Sequence, residues 1–284
     1  MRVTSCIAIL AGALWLVSLS CANDSTINAV SRVGTLADDD LDEASGIVAS
    51  RKYPGIFWTH NDGDDGVLFA VKRDGSAAAR FKLEPKVQDW EDIAADEKGR
   101  LFVADTGNNS AERNAVNIIE IPEPDPAAGK RKLEALHRWR VSFPQRAFDI
   151  EALIVRQGNG YVISKYQDGR KAELYRFEMG DKRRVMLEKL TTLPIDHAVT
   201  AADLSADGKR LAVLADRALY VFEVDGKIES AGQVQPAHYP IPAIKAEGCC
   251  FVPDGVLLVA ESREVLLVKL PPAPTQPPPT QPSP

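Results

Sequence analysis

Carboxylates recur at matched places in this chain, and their spacing sets the chemistry available to it. One column holds Ser45, Glu91, Glu151, Ala202 and Glu247, and two residues earlier stand Glu43, Asp89, Asp149, Thr200 and Lys245. If these positions converge, Asp89, Glu91, Asp149, Glu151 and Glu247 share a small space. Like charges at short range raise one another's pKa, so such a group needs either a bound cation or shared protons. Oxygen-only donors suit a hard cation, Ca²⁺ first and Mg²⁺ second.

A second set of polar residues follows each apolar run. It comprises His60, Asp105, Lys165, Ala215 or Asp216, and Glu261, with Asn61, Asp62, Asn108, Asn109, Arg217 and Arg263 beside them. A pocket gripping a polar or anionic small ligand uses this mixture: Lys165 and Arg217 meet negative oxygens, while His60, Asn61, Asp62, Asp105, Asn108 and Glu261 complete the wall. His60 and Lys165 are the candidates for acid and base work, and a metal-bound water is the candidate nucleophile. The competing explanation is structural, because Asp, Asn and Gly at strand ends also satisfy turns through side-chain to backbone bonds. The run Asp62-Gly63-Asp64-Asp65-Gly66 is no EF-hand, since Gly63 takes a ligand position and Lys72 stands where the closing Glu belongs.

The elements that must position these residues are hairpins. In Asp89 to Asn109 two apolar runs, Ile93-Ala94-Ala95 and Leu101-Phe102-Val103-Ala104, flank a polar turn with Gly99. Antiparallel pairing puts Asp89 and Glu91 at the same end as Asp105 and Asn108. The unit recurs at Ser45-Gly46-Ile47, Glu151-Ala152-Leu153, Ala202-Asp203-Leu204 and Glu247-Gly248-Cys249, each followed by a turn and a second apolar run. A period of roughly 45 to 60 residues is that of propeller blades. The expectation is an all-β protein, a β-propeller of five four-stranded blades, with a sixth blade as the alternative in the long unit between Ile93 and Leu153. Residues Asn28 to Leu36 form a strand that completes the last blade, because closing the ring removes exposed sheet edges. First strands line the central channel of a propeller, which is why the carboxylate columns should meet on the axis.

Composition bounds the rest. The 284 residues are 45% hydrophobic and 26% charged with a net charge of −6, which excludes a basic nucleic-acid footprint. Met1 to Ala22 read as an export signal, with Arg2 ahead of an apolar run from Ile7 to Leu19 that is too short to span a bilayer. The protein is therefore expected outside the cytoplasm. It is either released by cleavage before Asn23 or held at the membrane by a lipid on Cys21, and is monomeric in both cases. Residues 23–270 make the propeller, and from Pro271 the sequence PPAPTQPPPTQPSP is an extended tail acting as spacer or as ligand for a Pro-binding domain. Cys249 and Cys250 are adjacent, so a bridge between them is strained and two buried thiols are expected.

The chain resembles a group of largely uncharacterised exported bacterial β-propeller proteins. The resemblance rests on Ser45-Gly46-Ile47, Trp58-Thr59-His60-Asn61-Asp62, Asp89-Trp90-Glu91-Asp92-Ile93-Ala94, Phe102-Val103-Ala104-Asp105-Thr106-Gly107-Asn108 and Asp149-Ile150-Glu151-Ala152-Leu153. More distantly the acidic mouth is similar to those of calcium-dependent propeller hydrolases, including β-propeller phytases and lactonase or phosphotriesterase-like enzymes. Three readings of the chain follow: a calcium-dependent protein that binds a polar or anionic ligand, a calcium-dependent hydrolase of phosphate or other esters and lactones, and a surface scaffold without a small-molecule site.

Overall fold

Apolar runs of five to seven residues separated by Gly-containing turns pair with their immediate neighbours, and this local pairing generates the whole fold. The computed structural model describes residues 29–128 and 131–271. Met1 to Ala22, where an export signal is expected, Cys21 within it and the residues beyond 271 lie outside the described residues. Among the described residues no helix is long and apolar enough to cross a membrane.

The first strand, β1 (Val30–Thr35), stands apart from the chain that follows it. Blade 1 is β2 (Ala44–Ala49), β3 (Phe57–Asn61), β4 (Val67–Val71) and β5 (Ala77–Leu83). Blade 2 is β6 (Trp90–Ala95), β7 (Leu101–Asp105), β8 (Ala115–Ile121) and, after the short β9 (Lys132–Leu133), β10 (His137–Ser142). Blade 3 is β11 (Asp149–Arg156), β12 (Asn159–Lys165), β13 (Glu173–Glu178) and, after β14 (Arg184–Met186), β15 (Glu188–Thr192). Blade 4 is β16 (Val199–Leu204), β17 (Arg210–Ala215), β18 (Ala218–Glu223) and β19 (Ala237–Pro240). Blade 5 is β20 (Ala246–Val252), β21 (Gly255–Ala260) and β22 (Glu264–Lys269), and its fourth strand is β1, which pairs antiparallel with β22. The ring is closed as the alternation of apolar residues required, with five blades and no sixth among the described residues.

Two sheets carry a fifth strand. β9 adds parallel to the outer edge of β5, and β14 adds parallel to that of β10. The segment around Met186 therefore divides between two blades, with β14 on the edge of blade 2 and β15 inside blade 3. Both additions cover edge groups that would otherwise offer a template for another strand.

The core lies between blades. Each of the five apolar clusters joins two neighbouring sheets face to face; Trp58, Phe81, Trp90 and Ile119, for example, fill the space between blades 1 and 2. Cys249 packs toward blade 4 and Cys250 toward blade 1. Adjacent strand residues face opposite ways, so both thiols are buried and free. The first strands β2, β6, β11, β16 and β20 pack on one another in a closed circuit around the axis.

All five first strands share one irregularity. Pairing with the second strand slips by one residue at Gly46, Glu91, Glu151, Thr200 and Glu247. A bulge turns the extra residue out of the ladder and re-aims its side chain. The true axial column is therefore Gly46, Glu91, Glu151, Thr200 and Glu247, which corrects the alignment by sequence at Ser45 and Ala202.

Candidate functional site

The bulges bring carboxylates from two blades together. Oxygens of Glu91, Asp149 and Glu151 lie within 4.8 Å of one another, and a second group, Asp62, Asp89 and Glu91, meets the same limit. Glu91 belongs to both. Asp89 precedes β6 and Asp149 begins β11, so each blade delivers its bulge glutamate and an aspartate two residues earlier to the same rim. Gly107 makes the approach possible, because a Cβ there would collide with Asp89 Oδ2 and Glu91 Oε1.

Burial decides the electrostatics. Glu91, Asp149 and Glu151 are buried, Asp89 is half-buried and Asp62 is exposed. Loss of water raises the Glu91 carboxyl far above its usual range, and Glu151, Asp62, Asp149 and Asp89 raise it further. Burial likewise raises Glu151, against the pull of Lys165, whose Nζ stands 3.0 Å from Glu151 Oε1. Burial also disfavours the Lys165 ammonium, but Glu151 outweighs it and holds the lysine charged. Asp89 is raised as well, chiefly by burial, and so is Asp62, whose carboxyl loses water against the cluster although the residue as a whole stands exposed. Glu247 faces the same mouth from blade 5. Burial pushes it up to about 7, with Lys165 opposing and Glu261 and Asp62 adding to the rise. Glu261 pairs with Lys245 at 2.9 Å.

Other residues singled out by sequence are committed elsewhere. Asp105 is buried and accepts from the backbone N–H groups of Gln88 and Asp89 and from Arg113 and Asn117. Asn108 donates its backbone N–H to Asp149 Oδ1 at 2.7 Å and its side chain to the Arg113 and Phe148 carbonyls. Asn61 donates to the Asp40 carbonyl and accepts from the Glu43 N–H. Asp105 and Asn108 hold the segments that carry Asp89 and Asp149, and Asn61 holds the loop ahead of β2. Arg217 is exposed at the turn between β17 and β18, and the structure does not bring it to the cluster.

His60 is buried completely. Its ring stacks on Trp90 with centroids 4.1 Å apart, and Nδ1 contacts the Asn61 carbonyl at 2.8 Å. Burial lowers its pKa to about 3, so the imidazole is neutral at physiological pH and closed to solvent.

Arg113 is a supporting residue that the sequence pattern did not mark. It donates to the Gly107 and Asp105 carbonyls and pairs with Asp105 at 3.0 Å, and its charge partly offsets the rise at Asp89. It lies in the loop between β7 and β8, outside any repeating column. Beside the cluster runs a groove of about 370 Å³ lined by Asp149, Lys165, Phe148, Tyr166, Asn109 and Arg170 among others. Arg170 lies over the Tyr166 ring at 3.8 Å.

No protein-family profile matches the chain, and no curated protein matches it. Among solved structures it is similar to virginiamycin B lyase from Staphylococcus aureus, with 14% identity over 84% of this chain and 69% of that one and a TM-score of 0.43. It is also similar to the β-propeller domain of Cps50 (Swd1) from Myceliophteria thermophila, with 12% identity over 81% and 67% of the two chains and a TM-score of 0.41. Hydrazine synthase from Kuenenia stuttgartiensis gives 14% identity over 80% of this chain, spans matched to 58% of its own length, and a TM-score of 0.41. The chain is a five-bladed β-propeller with a cluster of acidic residues at one end of its axis.

Proposed function

We propose that the acidic end of the axis is a divalent-cation site, Ca²⁺ in the first instance, through which an exported propeller holds a polar or anionic small ligand. The observation that carries this reading is the double membership of Glu91: a buried carboxylate has four others, Asp62, Asp89, Asp149 and Glu151, as close neighbours. Lys165 is the cation in direct contact, and it is paired with Glu151. One ammonium does not neutralise five carboxylates, whereas a hard cation with oxygen donors does. Glu91, Asp149 and Glu151 are the principal ligands in this reading, with Asp62 and Asp89 opposite them and Glu247 at the edge. The groove past Lys165 and Tyr166 seats the ligand, with the ammonium turned to its negative oxygens.

Calorimetric titration of chelator-treated protein with Ca²⁺ tests the proposal. A saturable heat that Glu91→Gln and Glu151→Gln abolish supports it. Absence of heat, together with a melting temperature that chelators leave unchanged, removes the cation from the account and favours the scaffold reading.

A hydrolase reading draws support from the groove, which opens directly beside Asp149 and Lys165, so that an ester held there lies against the ion. A cation at the cluster would supply an activated water. His60, sealed and neutral, is not the acid in such a reaction, and Lys165 is the remaining candidate. Calcium-dependent turnover of an aryl phosphate or a lactone, lost in Glu151→Gln, distinguishes a hydrolase from a binding protein.

A further inference from the structure

The opposite end of the same axis is built differently. A cavity of about 160 Å³ opens there, walled by four blades: Arg51 from the turn after β2, Ala94, Ala95 and Glu97 from blade 2, Ile154 to Arg156 from β11, and Asp203 to Ala206 from blade 4. Its charged donors are two arginines. Among the described residues neither Arg51 nor Arg156 has a carboxylate ion-pair partner, although both reach the cavity. Arg156 Nε is shut away from solvent and lacks any hydrogen-bond partner among the described residues. A buried guanidinium N–H without an acceptor carries a desolvation cost that a native fold ordinarily offsets.

Arg156 is also held in place. Its guanidinium lies flat against Gly208, where a Cβ would collide with the guanidinium carbon. The neighbouring polar groups are already committed. Ser205 Oγ donates to Asp207 and accepts from the Arg210 N–H, and Asp203 accepts from the Leu204 and Phe251 N–H groups. Glu97 is exposed at the rim and accepts from the Gln157 N–H at 3.3 Å. The two guanidinium groups are what this cavity offers to a ligand.

We propose that this cavity is a binding site for a small oxyanion of the phosphate and sulfate class, clamped between Arg51 and Arg156. Planar guanidinium forks match the oxygen spacing of such anions and form charge-assisted hydrogen bonds with them. The anion meets the Arg156 side chain where it lines the cavity, because its Nε is sealed from any solvent-sized group. Asp203 sets the opposing charge, so the site favours a compact anion that reaches both arginines over a bulky one. This site is independent of the acidic end and of any cation held there.

Sulfate is the probe, because its charge does not change near neutral pH. Titration of the full chain with sodium sulfate at constant ionic strength, followed by calorimetry, reads the affinity directly. The expected result is saturable binding that weakens at least about tenfold in Arg156→Met and in Arg51→Met, the equivalent of one charge-assisted bond. Asp203→Asn is expected to tighten it, and Glu91→Gln at the far end to leave it unchanged. Arg51 is exposed, so its variant keeps the fold even if Arg156→Met does not. No saturable heat with sulfate, or equal affinity in wild type and Arg51→Met, overturns the proposal.

Discussion

Replacing Glu91 by Gln separates two accounts of the acidic cluster. Two unit charges 4.8 Å apart, the outer limit for the Glu91 group, repel by about 3.5 kcal/mol at an effective dielectric of ~20. A buried carboxyl meeting that repulsion from several sides keeps its proton, and Glu91 is accordingly raised far above its usual range by burial first and Glu151 next. In the cation-free protein at pH 7 it is neutral, so Gln is nearly its isostere. The variant should then match the wild type within about 1 kcal/mol, a small effect for a point substitution. Cation binding must displace that proton, which predicts release of about one proton per ion and an affinity that climbs with pH. At a Ca²⁺ concentration a hundred times Kd the wild type gains about 2.7 kcal/mol. For a domain of this size that is about 5–10 °C in melting temperature. Glu91→Gln should lose this gain. Differential scanning calorimetry with and without Ca²⁺, and titration in buffers of different ionisation enthalpy, measure both quantities. A variant whose cation-free melting temperature rises by the full repulsion, or which keeps the calcium shift, refutes the reasoning.

Three further outcomes follow from the same geometry. Glu247 is raised from 4.5 to about 7, and a carboxyl with a raised folded pKa contributes stability fully below its unfolded value and loses it as pH climbs through the folded one. In cation-free protein, Glu247→Gln should therefore gain melting temperature relative to wild type between about pH 4.5 and 7, and a flat difference across that window contradicts the assignment. Gly107→Ala puts a methyl where Asp89 and Glu91 now sit, so calcium affinity should fall at least about tenfold while circular dichroism keeps its β signature. Deleting Val30–Thr35 strips the partner from β22 and bares an apolar edge, which should turn a cooperative thermal transition into aggregation, as light scattering would record.

Much of this arrangement can be read directly from the chain. Apolar runs at propeller spacing give the five blades, and the unpaired segment ahead of Leu36 gives their closure. Three glutamates on the axis follow from their matched places. The pattern misplaces the column in blades 1 and 4, where a bulge adds a residue without an acidic side chain to mark it: Gly46 and Thr200 stand there instead of Ser45 and Ala202. Alternation has period two, and one inserted residue reverses it silently. The edge strands β9 and β14, of two and three residues, are too short to carry a period. Asn61, Asp105 and Asn108 are polar at strand ends either way, and only coordinates reveal that backbone groups consume them.

The innermost strands are stitched sideways as well as along their sheets. Asp92 accepts from the Leu153 N–H of blade 3 and also engages Ala202 of blade 4, while Asp203 accepts from Phe251 of blade 5. Ser45 donates to the Glu91 carbonyl, Thr106 to that of Ile150, and Thr200 to that of Ala246. A molecule hooped around its hub in this way yields from the outside inward. Its rim amides fray and exchange with deuterium early, and the hub protons escape when the whole ring comes apart.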